Sequence, residues 1–259
     1  MISIRNSMLK DWRSMCQLAF KARWFGTPEE KQLMSLDHVQ AIRWGVYFEQ
    51  LVWGTGMGGK TIELTPKEKS SVYYERVKAQ AKEARRILIT ENNFTKLDTQ
   101  VQLRGQIDVE GVKIDVEGNI DGMFWSGDKP FLNVDTKSTA DAENEFGDYA
   151  WGSPEKMDMG QMVMYRDLVY LNFNVLPRSQ YYVADLTKQE RVEIIEPEFT
   201  DEYIWNYRWQ VRIASQEINQ AVNFDYWIPK NGYNECKNCP IKSICSKATT
   251  TPEIKYIQK

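Results

Sequence analysis

The sequence predicts a mixed α/β protein, a β-sheet with helices packed on it. Three observations carry this. Apolar residues recur at helical spacing early in the chain, as in Leu9, Trp12, Cys16 and Phe20. The period then switches to two, with Val101, Leu103, Ile107 and Val109 alternating with polar neighbours. Helical spacing returns after residue 154, interrupted by two short alternating runs.

Taken in order, residues 7–25 read as one helix, and a second spans about 37–53 before the glycine-rich stretch 54–59 stops it. A third begins at Thr65, Pro66 and Glu68: threonine caps, proline suits the first helical position, and glutamate closes a capping box. It is expected to reach Ile89 and to bury Tyr73, Val77, Ala81, Ala84 and Leu88. An antiparallel meander follows, with turns at Glu110-Gly111 and at Ser126-Gly127-Asp128 and strands over 101–109, 112–116, 118–125 and 130–137. A helix over 154–171, strands over 180–185 and 191–195, and a helix over 201–222 complete the order. Neither repeats nor low-complexity linkers divide the chain, so 1–259 is read as a single domain.

A hydrophobic content of 42% is enough for a core, and the net charge of -3 offers no global basic field, so a nucleic-acid partner requires a local basic groove. The first ten residues lack a secretory apolar run, and no stretch approaches the length of a membrane span. A cytoplasmic, reducing setting with no membrane association is therefore expected, where clustered cysteines hold metal more often than they form disulfides.

Two carboxylates stand out. Asp121 follows Gly118-Asn119-Ile120, and Asp135 precedes Thr136-Lys137. They fall on neighbouring strands, and the period of two puts Asp135 and Lys137 on one face. Converging carboxylates suit Mg²⁺ or Mn²⁺, and an adjacent lysine orients water or offsets charge developing on a phosphate. Taken alone, an Asp-x-Lys is ordinarily a solvated strand pair. Its company here is Glu49, late in the second helix after Gly45, and Gln161 with Tyr165 four residues on, sharing a helix face.

The ordered set Glu49, Asp121, Asp135-x-Lys137 and Gln161-x₃-Tyr165 resembles the RecB-like branch of the PD-(D/E)XK nuclease superfamily. The resemblance implies a restriction-endonuclease-like core over about 37–200. It also implies metal on Glu49, Asp121, Asp135 and the Thr136 carbonyl, catalysis by Lys137, and steadying roles for Gln161 and Tyr165. Many relatives carry histidine in the first motif, whereas the only histidine here, His38, lies eleven residues before Glu49 and reads as structural or surface.

The four cysteines extend the resemblance. Cys16 is alone near the start, and Cys236, Cys239 and Cys245 form a C-x₂-C-x₅-C run near the end. A site built from all four joins the segments 7–25 and 223–248 as a clasp. Four thiolates suit an iron–sulfur cluster, with a four-cysteine zinc site as the rival. The layout is similar to that of the iron–sulfur subset of the superfamily, which includes CRISPR-associated RecB-like exonucleases, and this implies a structural 4Fe–4S cluster. Many of those relatives have proline after the first cysteine, where this chain has Gln17.

The expected partner is DNA, single-stranded or with free ends, in the company of recombination, replication or CRISPR-adaptation proteins. Arg13, Lys21 and Arg23 flank Cys16, and Lys237, Lys242 and Lys247 flank the other cysteines. Lys78, Lys82, Arg85 and Arg86 form a stripe that reads first as a solvated helix face, and Trp24, Trp125 and Trp151 are stacking candidates. The alternative function is a catalytically inactive, nuclease-like DNA-binding or assembly subunit with a structural zinc or iron–sulfur site.

Overall fold

Five strands form one sheet in sequence order: β1 (Lys96–Val109), β2 (Val112–Ser126), β3 (Lys129–Thr139), β4 (Arg178–Asp185) and β5 (Val192–Ile195). This is seen in a computed structural model, which describes residues 2–35, 39–56, 59–139, 159–186, 192–229, 236 and 239–245. His38, Trp151, Lys237, Lys247 and the expected starts of the 37–53 and 154–171 helices and the 191–195 strand lie outside those residues.

The first three strands are the antiparallel meander that the alternation predicts. The 112–116 and 118–125 segments form one continuous β2. The β1–β2 turn is tight because Glu110 and Gly111 both take left-handed backbone, with φ of 51° and 76°. β3 and β4 are parallel, which requires a crossover, and helix α7 (Gly160–Phe173) lies in that connection.

Before the sheet come α1 (Asn6–Ser14), α2 (Gln17–Phe25), α3 (Pro28–Leu33), α4 (Gln40–Trp53), α5 (Pro66–Lys69) and α6 (Val72–Glu91); α8 (Asp201–Phe224) follows it. Two expected helices are broken in two. The 7–25 helix ends at Ser14, whose hydroxyl donates to the Lys10 carbonyl at 2.8 Å, and Cys16 is extended at φ -62°, ψ 135° before α2 begins. The helix from Pro66 breaks at Ser70-Ser71, where the Ser70 hydroxyl donates to the Lys67 carbonyl at 2.9 Å. In both places a serine competes for the last-turn carbonyls. The break leaves Tyr73 36% exposed, while Val77, Ala81, Ala84 and Leu88 are buried as expected. The short α3 adds an element to the sequence reading, and its capping box of Thr27 and Glu30 with Pro28 at the first turn is complete.

By internal contacts the chain divides into two compact units: Met1–Asn6 with Asp37–Arg212, and Ser7–Leu36 with Ile213–Lys259. In the first, α4 and α6 pack on one face of the sheet. Trp44, Phe48, Val52 and Trp53 of α4 meet Val77, Ala81, Ala84 and Leu88 of α6 and Leu132, Val134, Tyr182 and Ala184 of the strands. Since Leu132 and Val134 face this core, Asp135 and Lys137 face the other side, where α7 contacts the sheet. In the second unit an aromatic cluster of Trp12, Phe20, Phe25 and Trp227 forms the packing centre. No helix among the described residues is long and apolar enough to cross a membrane.

Candidate active site

The site forms where β2 and β3 stop pairing. Their ladder runs to Gly122 opposite Val134 and goes no further toward the next rung, Asp121 opposite Asp135. The backbone N–H of Thr136 instead donates to Asp121 Oδ2 at 2.9 Å, and the Thr136 hydroxyl donates to the same oxygen at 2.9 Å. That hydroxyl accepts from Trp53 Nε1 at 3.1 Å. Gly122 makes this possible: a Cβ there would stand 2.5 Å from Cη2 of the Trp53 indole. A carboxylate thus takes the place of a ladder acceptor, and the two strands open into a cleft.

Lys137 reaches across that cleft. Its ammonium lies 2.6 Å from Asp135 Oδ2 and donates to Gln161 Oε1 at 3.0 Å. Gln161 Nε2 donates to Asp135 Oδ1 at 2.7 Å and to the Tyr165 hydroxyl at 2.7 Å. Tyr165 in turn donates to the Asn119 carbonyl at 2.5 Å. Gln161 and Tyr165 are one turn apart on α7, so both meet the sheet. The N-terminus of α7 is located by Gly160, where a Cβ would be 2.2 Å from the Tyr207 ring.

The electrostatics bring in Glu49. Burial by itself would lower the Lys137 pKa; Asp135, Asp121 and Glu49 overcome it and push it up to about 12. Burial pushes the Asp121 carboxyl up, against the pull of Lys137 and the Thr136 donors. Burial first, then Asp135 and Asp121, holds the Tyr165 hydroxyl well above its ordinary value, with a further contribution from Glu49. Glu49 comes within this field because α4 passes close to the end of β3: a Cβ on Gly45, one turn earlier, would touch Ser138 Oγ at 3.1 Å.

The structure brings Asp121, Asp135, Lys137, Gln161 and Tyr165 into contact, and Glu49 reaches them through its electrostatic pull on Lys137 and Tyr165. Thr136, expected through its carbonyl, engages Asp121 through its N–H and hydroxyl. Sequence reasoning missed Trp53, Asn119 and Gln100, whose Nε2 donates to Asp121 Oδ1 at 3.3 Å. Nothing in local spacing marks Gln100; it becomes visible only as the residue opposite Asp121 on β1.

The donor chemistry suits a hard divalent cation: two buried carboxylates on adjacent strands, a third carboxylate close by, and no soft ligand among them. In the arrangement present, the lysine ammonium lies against Asp135, and among the described residues no three carboxylate, imidazole or thiol groups stand at the spacing of an assembled metal site.

The cysteines share a neighbourhood in the second unit. Cys16, Cys239 and Cys245 pack on Ala19, Ala22, Met34 and Ile241. Burial raises the Cys239 thiol; the Ile241 N–H opposes this, and Cys16, Cys245 and Cys236 add to the rise. Three thiols thus pack on one apolar cluster, the fourth reaches Cys239 electrostatically, and among the described residues no three of them stand at the spacing of an assembled metal site.

Four of the basic residues singled out in the sequence are ion-paired. Lys78 lies against Glu75 and the Tyr74 ring, Arg86 against Glu83, Lys21 against Asp225 and Arg23 against Asp11. Trp24 donates to Asp11, and Trp125 packs edge-on against Phe173.

The sequence profile of the PD-(D/E)XK nuclease superfamily matches residues 60–246. The chain belongs to this superfamily. Asp121, Asp135, Lys137, Gln161 and Tyr165 of the PD-(D/E)XK protein lie within the matched span, while Glu49 and Cys16 precede it. No curated protein matches the sequence. Among solved structures, a protein described as a candidate exonuclease from Eubacterium rectale is 14% identical, with a TM-score of 0.63 over 97% of this chain and 91% of that one. At that identity the likeness is one of fold. SSO0001 is 14% identical with a TM-score of 0.47, over 96% of this chain and 87% of that one. A phage-related exonuclease from Haemophilus somnus is 14% identical with a TM-score of 0.41, over 87% of this chain and 97% of that one.

Proposed function

We propose that this chain is a Mg²⁺- or Mn²⁺-dependent deoxyribonuclease that hydrolyses phosphodiester bonds, working as an exonuclease on single-stranded DNA ends. The supporting observation is the hydrogen-bonded set Asp135–Lys137–Gln161–Tyr165 facing Asp121 across an open strand rung. Membership of a nuclease superfamily and the exonuclease description of the Eubacterium rectale protein point the same way.

Asp121 and Asp135 would hold the ion, with Glu49 and the Thr136 carbonyl completing the oxygen set. When bound, such an ion polarises a phosphoryl oxygen and acidifies water. In the metal-free site three carboxylates outweigh burial and favour the Lys137 ammonium, which would lie as a cation beside the phosphate. Gln161 sets the positions of both Lys137 and Asp135, because its amide oxygen accepts from one and its amide nitrogen donates to the other. Tyr165, tied to the Asn119 carbonyl, orients Gln161.

Cys16, Cys236, Cys239 and Cys245 would hold a structural 4Fe–4S cluster, with zinc as the competing metal. On this reading the chain is one nuclease domain, its core at about 37–200 and its clasp from 7–25 and 223–248, working on DNA in the cytoplasm with recombination, replication or CRISPR-adaptation proteins.

The test is anaerobic purification with iron and zinc analysis, followed by digestion of end-labelled linear and circular single-stranded DNA. Cleavage should require Mg²⁺ or Mn²⁺, stop with EDTA, and need a free end. Lys137→Ala should lower the rate by about 100-fold or more, the scale for removing one group that stabilises developing charge. Undiminished cleavage by that variant would falsify the assignment, and digestion of circles would remove the exonuclease part.

A further inference from the structure

Gln100 sits within β1, yet its φ is 52°. Left-handed backbone is uncommon outside glycine, asparagine and aspartate, and it interrupts a strand's pleat. The β1–β2 ladder pairs Thr99 with Gly122 and Val101 with Ile120, and it passes over the rung between them, Gln100 opposite Asp121. The β2–β3 ladder also stops one residue short of Asp121. Asp121 thus stands at a skipped rung of the β1 ladder and one residue past the end of the β3 ladder, and its side chain is held by other means.

Those means treat its two oxygens differently. Oδ2 accepts two bonds of 2.9 Å from Thr136, while Oδ1 accepts one bond of 3.3 Å from Gln100 Nε2, long for an N–H···O contact. Oδ2 is therefore committed, and Oδ1 is the oxygen that still has a lone pair to give a cation. The orientation of the Gln100 amide follows from chemistry. A carboxylate only accepts, so Nε2 faces Asp121 and Oε1 is left for another donor. That donor is Asn119 Nδ2 at 2.5 Å, and the Asn119 carbonyl accepts from Tyr165. Gln100 is thus locked by the same residue that anchors the Gln161–Tyr165 pair.

We infer that Gln100 is a positioning residue. Its left-handed backbone aims the amide at Asp121, fixes the carboxylate so that Oδ1 keeps a lone pair that would serve a cation, and would so set the affinity for the metal. This rests on the nuclease reading above. The competing explanation is that the left-handed kink only shapes β1, with the side chain incidental.

Gln100→Gly separates the two, because glycine takes this backbone without steric cost and lacks the amide. Binding of Mn²⁺ to the DNA-free protein is followed by electron paramagnetic resonance, alongside thermal melts in EDTA and the Mn²⁺ dependence of cleavage. The variant should melt at or above the wild-type temperature and bind Mn²⁺ about 10–100-fold more weakly, the usual effect of losing a partner of a metal ligand. Saturating Mn²⁺ should restore wild-type turnover, so the defect lies in half-saturation by metal and not in kcat. Gln100→Asn, which tolerates the backbone and keeps a shorter amide, should fall between the two and serves if the glycine variant does not fold. Normal Mn²⁺ binding by Gln100→Gly, or a turnover defect that metal does not repair, overturns the inference while the nuclease reading stands. Failure of the wild-type protein to bind Mn²⁺ overturns both.

Discussion

Replacing Lys137 with methionine keeps an unbranched stem and deletes the ammonium, and the structure gives the size of the effect. That ammonium lies 2.6 Å from Asp135, and its pKa rises from 10.5 to about 12 against the effect of burial. That rise corresponds to about 2 kcal/mol of preference for the charged form in the folded state. The side chain is 31% exposed, so solvent screening trims this toward about 1 kcal/mol. Because the folded pKa is the raised one, the contribution is complete below about pH 10.5 and is lost only as the pH climbs through 12, so an assay near neutrality sees all of it. Asp135, 1% exposed, also loses its cation, and breaking a fully enclosed pair costs about 3–5 kcal/mol. The partial exposure of Lys137 places the expected loss at about 2–4 kcal/mol in EDTA. The assay is urea unfolding of both proteins with EDTA and again with saturating Mn²⁺. The ion and the ammonium favour the same carboxylates, so Mn²⁺ should stabilise the methionine variant more than the wild type. Equal stability of the two in EDTA, or equal gains from Mn²⁺, refutes the reasoning.

Gly160→Ala places a Cβ 2.2 Å from the Tyr207 ring, whose hydroxyl is tied to Asn6 at 2.8 Å, so the ring has little room to yield. The cost should be about 1–3 kcal/mol by thermal melt, with reduced cleavage because Gln161 is the next residue. Arg43, ahead of the opposing cost of burial and assisted by Thr65, holds the Glu68 carboxyl down from 4.5 to about 2. That stability is present above about pH 4.5 and drains away as the pH falls through 2, so Arg43→Met should unfold at a higher pH than wild type in an acid titration followed by circular dichroism. An unchanged acid midpoint counts against the Arg43–Glu68 clamp. Cys16→Ser should lower bound iron or zinc and reduce the melting temperature together, and retention of full metal content rules out a four-cysteine site.

Much of the candidate site was legible because its spacings are local. Asp135 and Lys137 share a face through the two-residue period of a strand, and Gln161 and Tyr165 share one through the helical turn. The Thr65–Pro66–Glu68 start was legible for the same reason, since a capping box closes within four residues. The breaks at Ser14 and Ser70 were not, because an apolar stripe runs across them unchanged and only the serine bonds to earlier carbonyls reveal the ends. Gln100 carried no signal at all, since its left-handed backbone depends on what stands opposite it.

By itself the sequence determined the alternation of helix and strand, the antiparallel order of the meander, and which acidic, basic and amide side chains share a face. These follow from periodicities and turn chemistry that act within a few residues. Only the tertiary structure decided that the β2–β3 ladder stops at Gly122, that Thr136 turns its N–H to Asp121, that β4 lies parallel to β3, and that Glu49 on a distant helix joins the field around Lys137. Each of these depends on contacts between segments far apart in the chain, where packing of one element against another outweighs local preference.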